Sequence, residues 1–171
     1  ARRAARGLLR QCAEHGVFQL GRQGRLDLPQ GARLQRLFRN NLPQPSTIHW
    51  HGIRIDNAMD GVPDLTQEAV APEGQFTYDF ALPDAGTYWY HPHPHGRTGH
   101  QVYGGLAGLF LVTDAEEEKL NLPSEELDIP LVIQDRAFNA DNQLVYLPRG
   151  MHDSMNWMLG GSIYVNGRPD F

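Results

Sequence analysis

This chain has very little cysteine and lysine, and no long apolar run. Of its 171 residues only Cys12 carries a thiol. No disulfide can form within the chain, and no thiolate-rich structural zinc site can be built. Only Lys119 is a lysine, and the other fourteen basic residues are arginine. Nine of those arginines fall in residues 1–40 against Glu14 and Asp27, so the first quarter is basic and the rest acidic, with a net charge of −5. The arginines are scattered and no aromatic platform accompanies them, which argues against nucleic-acid binding. No stretch approaches the roughly 18 apolar residues of a membrane-spanning helix, which excludes an integral membrane protein of that kind. The twin arginines Arg2 and Arg3 precede no apolar run of signal-peptide length, so no signal peptide is visible.

Glycine and proline are plentiful, with 18 and 12 residues, while helical patterning is modest. Many turns and short strands follow. In GQFTYDFALP, Phe76, Tyr78 and Phe80 alternate with Thr77 and Asp79, the period of a half-buried strand. GARLQRLFRNN alternates less cleanly. STIHWHGI, TYWYHPHPHG and GLAGLFLVTD read as further strands, the last of them buried. Spacing by Gly/Pro turns indicates a sandwich or barrel. Residues 115–128, AEEEKLNLPSEELD, are acidic and proline-broken and form the best linker. A second β run, IPLVIQDRAF, QLVYL and SIYVNG, then begins, with too few strands to close a second sandwich by itself.

Five of the eight histidines sit in two clusters: His49 and His51 in HWHG, and His91, His93 and His95 in HPHPHG. On a strand, positions i and i+2 face the same side, about 6.6 Å apart, a spacing suited to two adjacent ions. Two such strands side by side present at least four imidazoles, ligands that suit Cu, Zn, Ni or Fe. Pro92 and Pro94 fix φ and remove backbone donors, which makes HPHPH a stiff extended arm.

These residues resemble the first domain of a multicopper oxidase, most closely the bacterial laccase-like and cuprous-oxidase branch. The stretches that carry the resemblance are FRNNLPQPSTIHWHGIRIDNAMDGVPDLTQEAVAPEGQFTYDFALPDAGTYWYHPHPHG and GRTGHQVYGGLAGLFLVTD, and it runs from about Gly31 to Asp114. The implied fold is all-β, a cupredoxin-like Greek-key sandwich over 26–114. Residues 1–25 would form a poorly patterned lead-in, 115–128 the linker and 129–171 the start of a second, incomplete cupredoxin-like domain.

By motif position the resemblance makes His49 a type 2 copper ligand and His51, His91 and His93 ligands of the type 3 pair. Asp60, in MDGVP, would help supply protons. His95 would lie behind the ligands and His100 at the surface. The implied activity is one-electron oxidation of a phenolic or cuprous donor coupled to four-electron reduction of O2 to water. Electrons would pass from type 1 copper to the trinuclear cluster. The family's later HPxHxHG-type and HCH motifs are absent here, and no cysteine follows Cys12, so the type 1 copper site is missing. Pro92 after His91 also argues against a nitrite-reductase-type first domain. At most half of the trinuclear site is supplied. A missing C-terminal domain or another subunit would complete it, which makes the chain a fragment of the oxidase. A non-catalytic copper-binding or assembly module is the alternative, and a degenerate scaffold a third reading that the retained imidazoles disfavour. A periplasmic or secreted location follows from the resemblance alone. Met151, Met155 and Met158, at i, i+4 and i+7, are expected to pack as one apolar stripe, although thioethers also suit Cu(I).

Overall fold

The computed structural model describes residues 25–123 and 127–169. Residues 1–24, with Cys12, His15 and the first arginines, lie outside that description, as does part of 115–128. The described chain forms two compact units that meet in sequence at Leu122 and Pro123.

In the first unit, alternation creates two sheets. One has four strands: β1 (Arg25–Pro29), β3 (His49–His51), β5 (Gly86–His91) and β6 (Gly108–Thr113), in the order β1-β6-β5-β3. The pair β1–β6 is parallel and the other pairs are antiparallel. The second sheet pairs β2 (Arg33–Arg39) with β4 (Gln75–Ala81) antiparallel. In β4, Tyr78 and Phe80 are buried as the period of two requires. The irregular pattern of β2 resolves simply: Leu34 and Phe38 enter the core and Leu37 stays outside. The strand read over TYWYHPHPHG ends at His91, where the HPHPH arm begins, because Pro92 and Pro94 cannot donate to a ladder.

The two sheets meet over one apolar core. Trp50 is at its centre, fully buried, with ring centroids 5.4 Å from Tyr78 and 5.2 Å from Phe80 of the other sheet. On its own sheet it meets Tyr90 and Phe110 at 5.9 Å each. Tyr78 also orders the backbone, since its hydroxyl accepts the Ile48 N–H at 2.8 Å. Burial pushes the Tyr78 phenol well above its ordinary pKa, so it stays protonated. A short helix, α1 (Thr98–Tyr103), precedes β6. The segment read as a plain linker opens with a helical turn, α2 (Ala115–Glu118), because the Asp114 carboxylate caps the N–H groups of Glu116 and Glu117.

The second unit pairs β7 (Ile133–Arg136) with β8 (Ser162–Val165) and carries α3 (Met151–Asn156). The strand expected at QLVYL is reduced to a single bridge between Phe138 and Leu144. The methionine stripe does not pack as expected. Met151 and Met155 are 79% and 74% exposed. The helix ends at Asn156 and Trp157 takes φ +63°, so Met158 leaves the helical face. Its sulfur instead accepts the Leu147 N–H at 3.2 Å.

Replacing Trp50 with Ala empties the centre of the first unit. Urea denaturation is expected to show a loss of about 3–5 kcal/mol, and Trp50→Phe a smaller one. Equal stability of Trp50→Ala and the parent would contradict this packing.

Candidate metal centre

The alternation that buries Trp50 and Tyr90 turns their neighbours to the opposite face. His49 pairs directly with His91 across β3 and β5, and His51 with Trp89. Cross-strand partners share a face at about 4.5–5.5 Å, closer than i and i+2 on one strand. The imidazoles therefore meet both across the ladder and along β3. Ring centroids are 5.2 Å apart for His49–His91 and 5.4 Å for both His49–His51 and His51–His91. One nitrogen from each of His49, His51 and His91 lies within 4.8 Å of the others. His51 Nδ1 and His91 Nε2 are only 3.1 Å apart. Trp89 holds both rings, 5.0 Å from His51 and 4.1 Å from His91.

Hydrogen bonds fix which nitrogens face the site. His49 Nδ1 lies 2.8 Å from the Asp60 carbonyl oxygen, and His91 Nδ1 lies 2.8 Å from the Pro92 carbonyl oxygen. A carbonyl only accepts, so both Nδ1 atoms carry the proton and each Nε2 of the neutral rings keeps a lone pair. His51 Nδ1 then donates to His91 Nε2 in the metal-free protein. To ligate a cation through Nδ1, His51 would have to give up that donor role and carry its proton on Nε2 instead.

The Asp60 carboxylate is also 3.3 Å from His49 Nδ1. Asp60 is held close by Gly61, at φ +73°, where any Cβ would overlap the Ile48 carbonyl oxygen. His93 lies on the arm beyond β5, its ring 5.4 Å from His49 and 6.0 Å from His91. It falls outside the tight three-nitrogen group. Its Nδ1 is buried without a hydrogen-bond partner, a polar atom that needs one. His95 faces solvent and pairs with Asp64 at 3.1 Å, while His100 is exposed on α1. His152 is exposed on α3 in the other unit.

This donor set fits copper: neutral imidazoles and no thiolate among the described residues, with one buried nitrogen lacking a partner. Burial, together with the neighbouring imidazoles, pushes His91 down to about 4, against the lift from its bond to Pro92. Sequence reasoning located the histidines and Asp60. It missed the Pro92 carbonyl, Trp89 as a ring clamp, and the buried Thr47 that bonds the arm; the hydroxyl pair Ser46–Thr47 just before the HWH motif was the available signal for the last.

The family model described as multicopper oxidase matches residues 23–117. A multicopper oxidase of Staphylococcus aureus is 36% identical over 85% of this chain and 31% of its own. A bilirubin oxidase of Albifimbria verrucaria is 35% identical over 83% of this chain and 24% of its own. The crystal structure of the McoA multicopper oxidase of Aquifex aeolicus superposes with a TM-score of 0.74 at 42% identity, over 85% of this chain and 31% of that one. The chain thus spans under a third of the length of these relatives, and they share its all-β, cupredoxin-like fold.

Between pH 6.5 and about 4 the unfolded chain protonates His91 while the folded one does not. Metal-free stability is therefore highest above pH 6.5 and falls as pH drops towards 4, by an amount on the order of 1–3 kcal/mol. Imidazole NMR should show His91 still neutral at pH 5. A protonated His91 at that pH would refute the assignment.

Proposed function

The chain belongs to the multicopper oxidase family, and from that premise we propose that it supplies half of a trinuclear copper site for reducing dioxygen. The observation that carries this reading is the convergence of His49, His51 and His91, one nitrogen of each within 4.8 Å of the others and those of His51 and His91 3.1 Å apart. His49 ligates the type 2 ion, and His51, His91 and His93 ligate the type 3 pair. Copper, when bound, supplies the one-electron steps by which O2, four electrons and four protons become two waters.

The chain's own residues prepare that chemistry. The ladder between β3 and β5 fixes the imidazoles before metal arrives, so little ordering is required on binding. The Asp60 and Pro92 carbonyls set the tautomers of His49 and His91 and raise their basicity as ligands. The low pKa of His91 keeps it unprotonated and able to bind across the neutral range. The Asp60 carboxylate, 3.3 Å from His49 Nδ1 and only partly buried, stands at the edge of the site, where the family resemblance has it help supply protons.

The electron donor, a phenol or cuprous ion, delivers its electrons through a type 1 site that this sequence does not encode. The remaining ligands come from a C-terminal part of the same polypeptide or from another subunit. Residues 26–114 form the first cupredoxin-like domain, 115–128 the connection and 129–171 the opening of the second. The setting is periplasmic or secreted; among the described residues no helix is long and apolar enough to cross a membrane.

Copper titration of the chain tests the assignment. Bound Cu(II) should give no blue absorption, and His49→Ala and His91→Ala should each lower affinity at least about 10-fold. His152→Ala should change nothing. Combined with the segment bearing the HCH motif, the chain should consume O2 with a donor. Undiminished copper binding in both site variants would overturn the reading. Site-dependent binding with no O2 consumption in the combined protein would favour the copper-binding module.

A further inference from the structure

The ladder that aligns His49 with His91 stops at His91, yet His93 lies two residues further on. Something else must hold the arm. Pro92 and Pro94 have no N–H, so His93 carries the sole backbone donor of the segment 92–94. That N–H bonds to the Thr47 hydroxyl oxygen at 3.2 Å. Thr47 is 0% exposed and lies two residues before His49.

The chain beyond the arm returns to the same place. Gln101, on α1, is 1% exposed. Its carboxamide oxygen accepts from the Ser46 hydroxyl at 2.8 Å, and its Nε2 donates to the Pro45 carbonyl at 3.1 Å. Ser46 is itself fully buried and is fastened by a backbone bridge to Val70. The Thr98 hydroxyl closes the start of α1 on the Pro94 carbonyl at 3.0 Å.

The two imidazole-bearing segments are thus joined at three successive levels: Gln101 to Pro45 and Ser46, His93 to Thr47, and His91 to His49. These three attachments fall within Pro45–His49, and an exposed bond from Arg97 Nη1 to Gln44 Oε1 at 2.6 Å adds a fourth just before them. Three polar side chains with almost no solvent exposure are an unusual device in an apolar sandwich, because each must be fully paired to avoid a desolvation cost. Here the shorter pairings bridge the two segments; the one local contact, from the Ser46 hydroxyl to the Thr47 carbonyl, is longer at 3.5 Å.

We propose that Thr47, with Gln101 and Ser46 behind it, is a positioning residue of the metal centre. It sets the distance between the HPHPH arm and the HWH strand and so brings His93 to the ions held by the other three imidazoles. This rests on the reading of His93 as a ligand. Thr47 touches no metal; it acts through the His93 backbone. Loss of its hydroxyl frees the arm between His91 and α1, and the His93 imidazole then has to be ordered when metal binds.

The test is Cu(II) titration of the full chain as Thr47→Val, Thr47→Ser, His93→Ala and Thr47→Val/His93→Ala, with circular dichroism to establish folding. Thr47→Val keeps the shape and removes the acceptor, and should weaken copper binding about 10- to 100-fold, the range for groups that orient ligands. Thr47→Ser should restore binding to near the parent value. In the His93→Ala background, Thr47→Val should have no further effect. If Thr47→Val does not fold, Gln101→Met takes its place under the same criteria.

A Thr47→Val protein of lowered melting temperature but parental copper affinity overturns the proposal, as does an equal loss with and without His93. If His93→Ala itself leaves copper binding unchanged, the ligand reading fails and the positioning role fails with it. If His93→Ala weakens binding and Thr47→Val does not, positioning alone is refuted.

Discussion

The site depends on one strand pairing: β3 against β5, with His49 directly opposite His91. Everything on the outer face follows from what this pairing does on the inner one. Trp50 and Tyr90 are driven into the core by their apolar area, and the period of two then leaves His49, His51 and His91 no choice of side. A slip of one residue would bury the imidazoles and expose two large aromatic rings, so the register is set by the core itself. The candidate metal centre is thus the reverse side of a hydrophobic cluster.

That arrangement also explains how uncharged rings can crowd so closely. His91 is buried and held neutral, and its proton sits on the nitrogen that points away to Pro92. His49 is fixed in the same sense by Asp60, which Gly61 lets approach the strand. The Nε2 atoms of His49 and His91, the candidate ligands, are therefore already freed of their protons by these bonds. Backbone carbonyls do most of this orienting, which conserves the protein's charge for the cations to be held.

Much of this was legible in the sequence, for physical reasons. Alternation in QFTYDFA and the HxH pairs reports strand faces directly, so both the sheet positions and the candidate ligands could be read. Pro92 and Pro94 announced where the ladder must end. What could not be read was register: the along-strand spacing of His49 and His51 suited two adjacent ions, and only the pairing of β3 with β5 brings nitrogens of His51 and His91 to 3.1 Å. Gln101 was silent, because a buried amide on a short helix has no sequence pattern. The methionines misled, since their i, i+4, i+7 spacing presumes a helix that continues, and this one breaks at Trp157.

Anomalous diffraction at the copper edge from copper-loaded crystals of the protein tests the central claim most directly. The account predicts metal peaks among the nitrogens of His49, His51, His91 and His93, with no sulfur within coordination distance. Peaks placed instead at the exposed thioethers of Met151 and Met155, with the imidazole cluster empty, would contradict it.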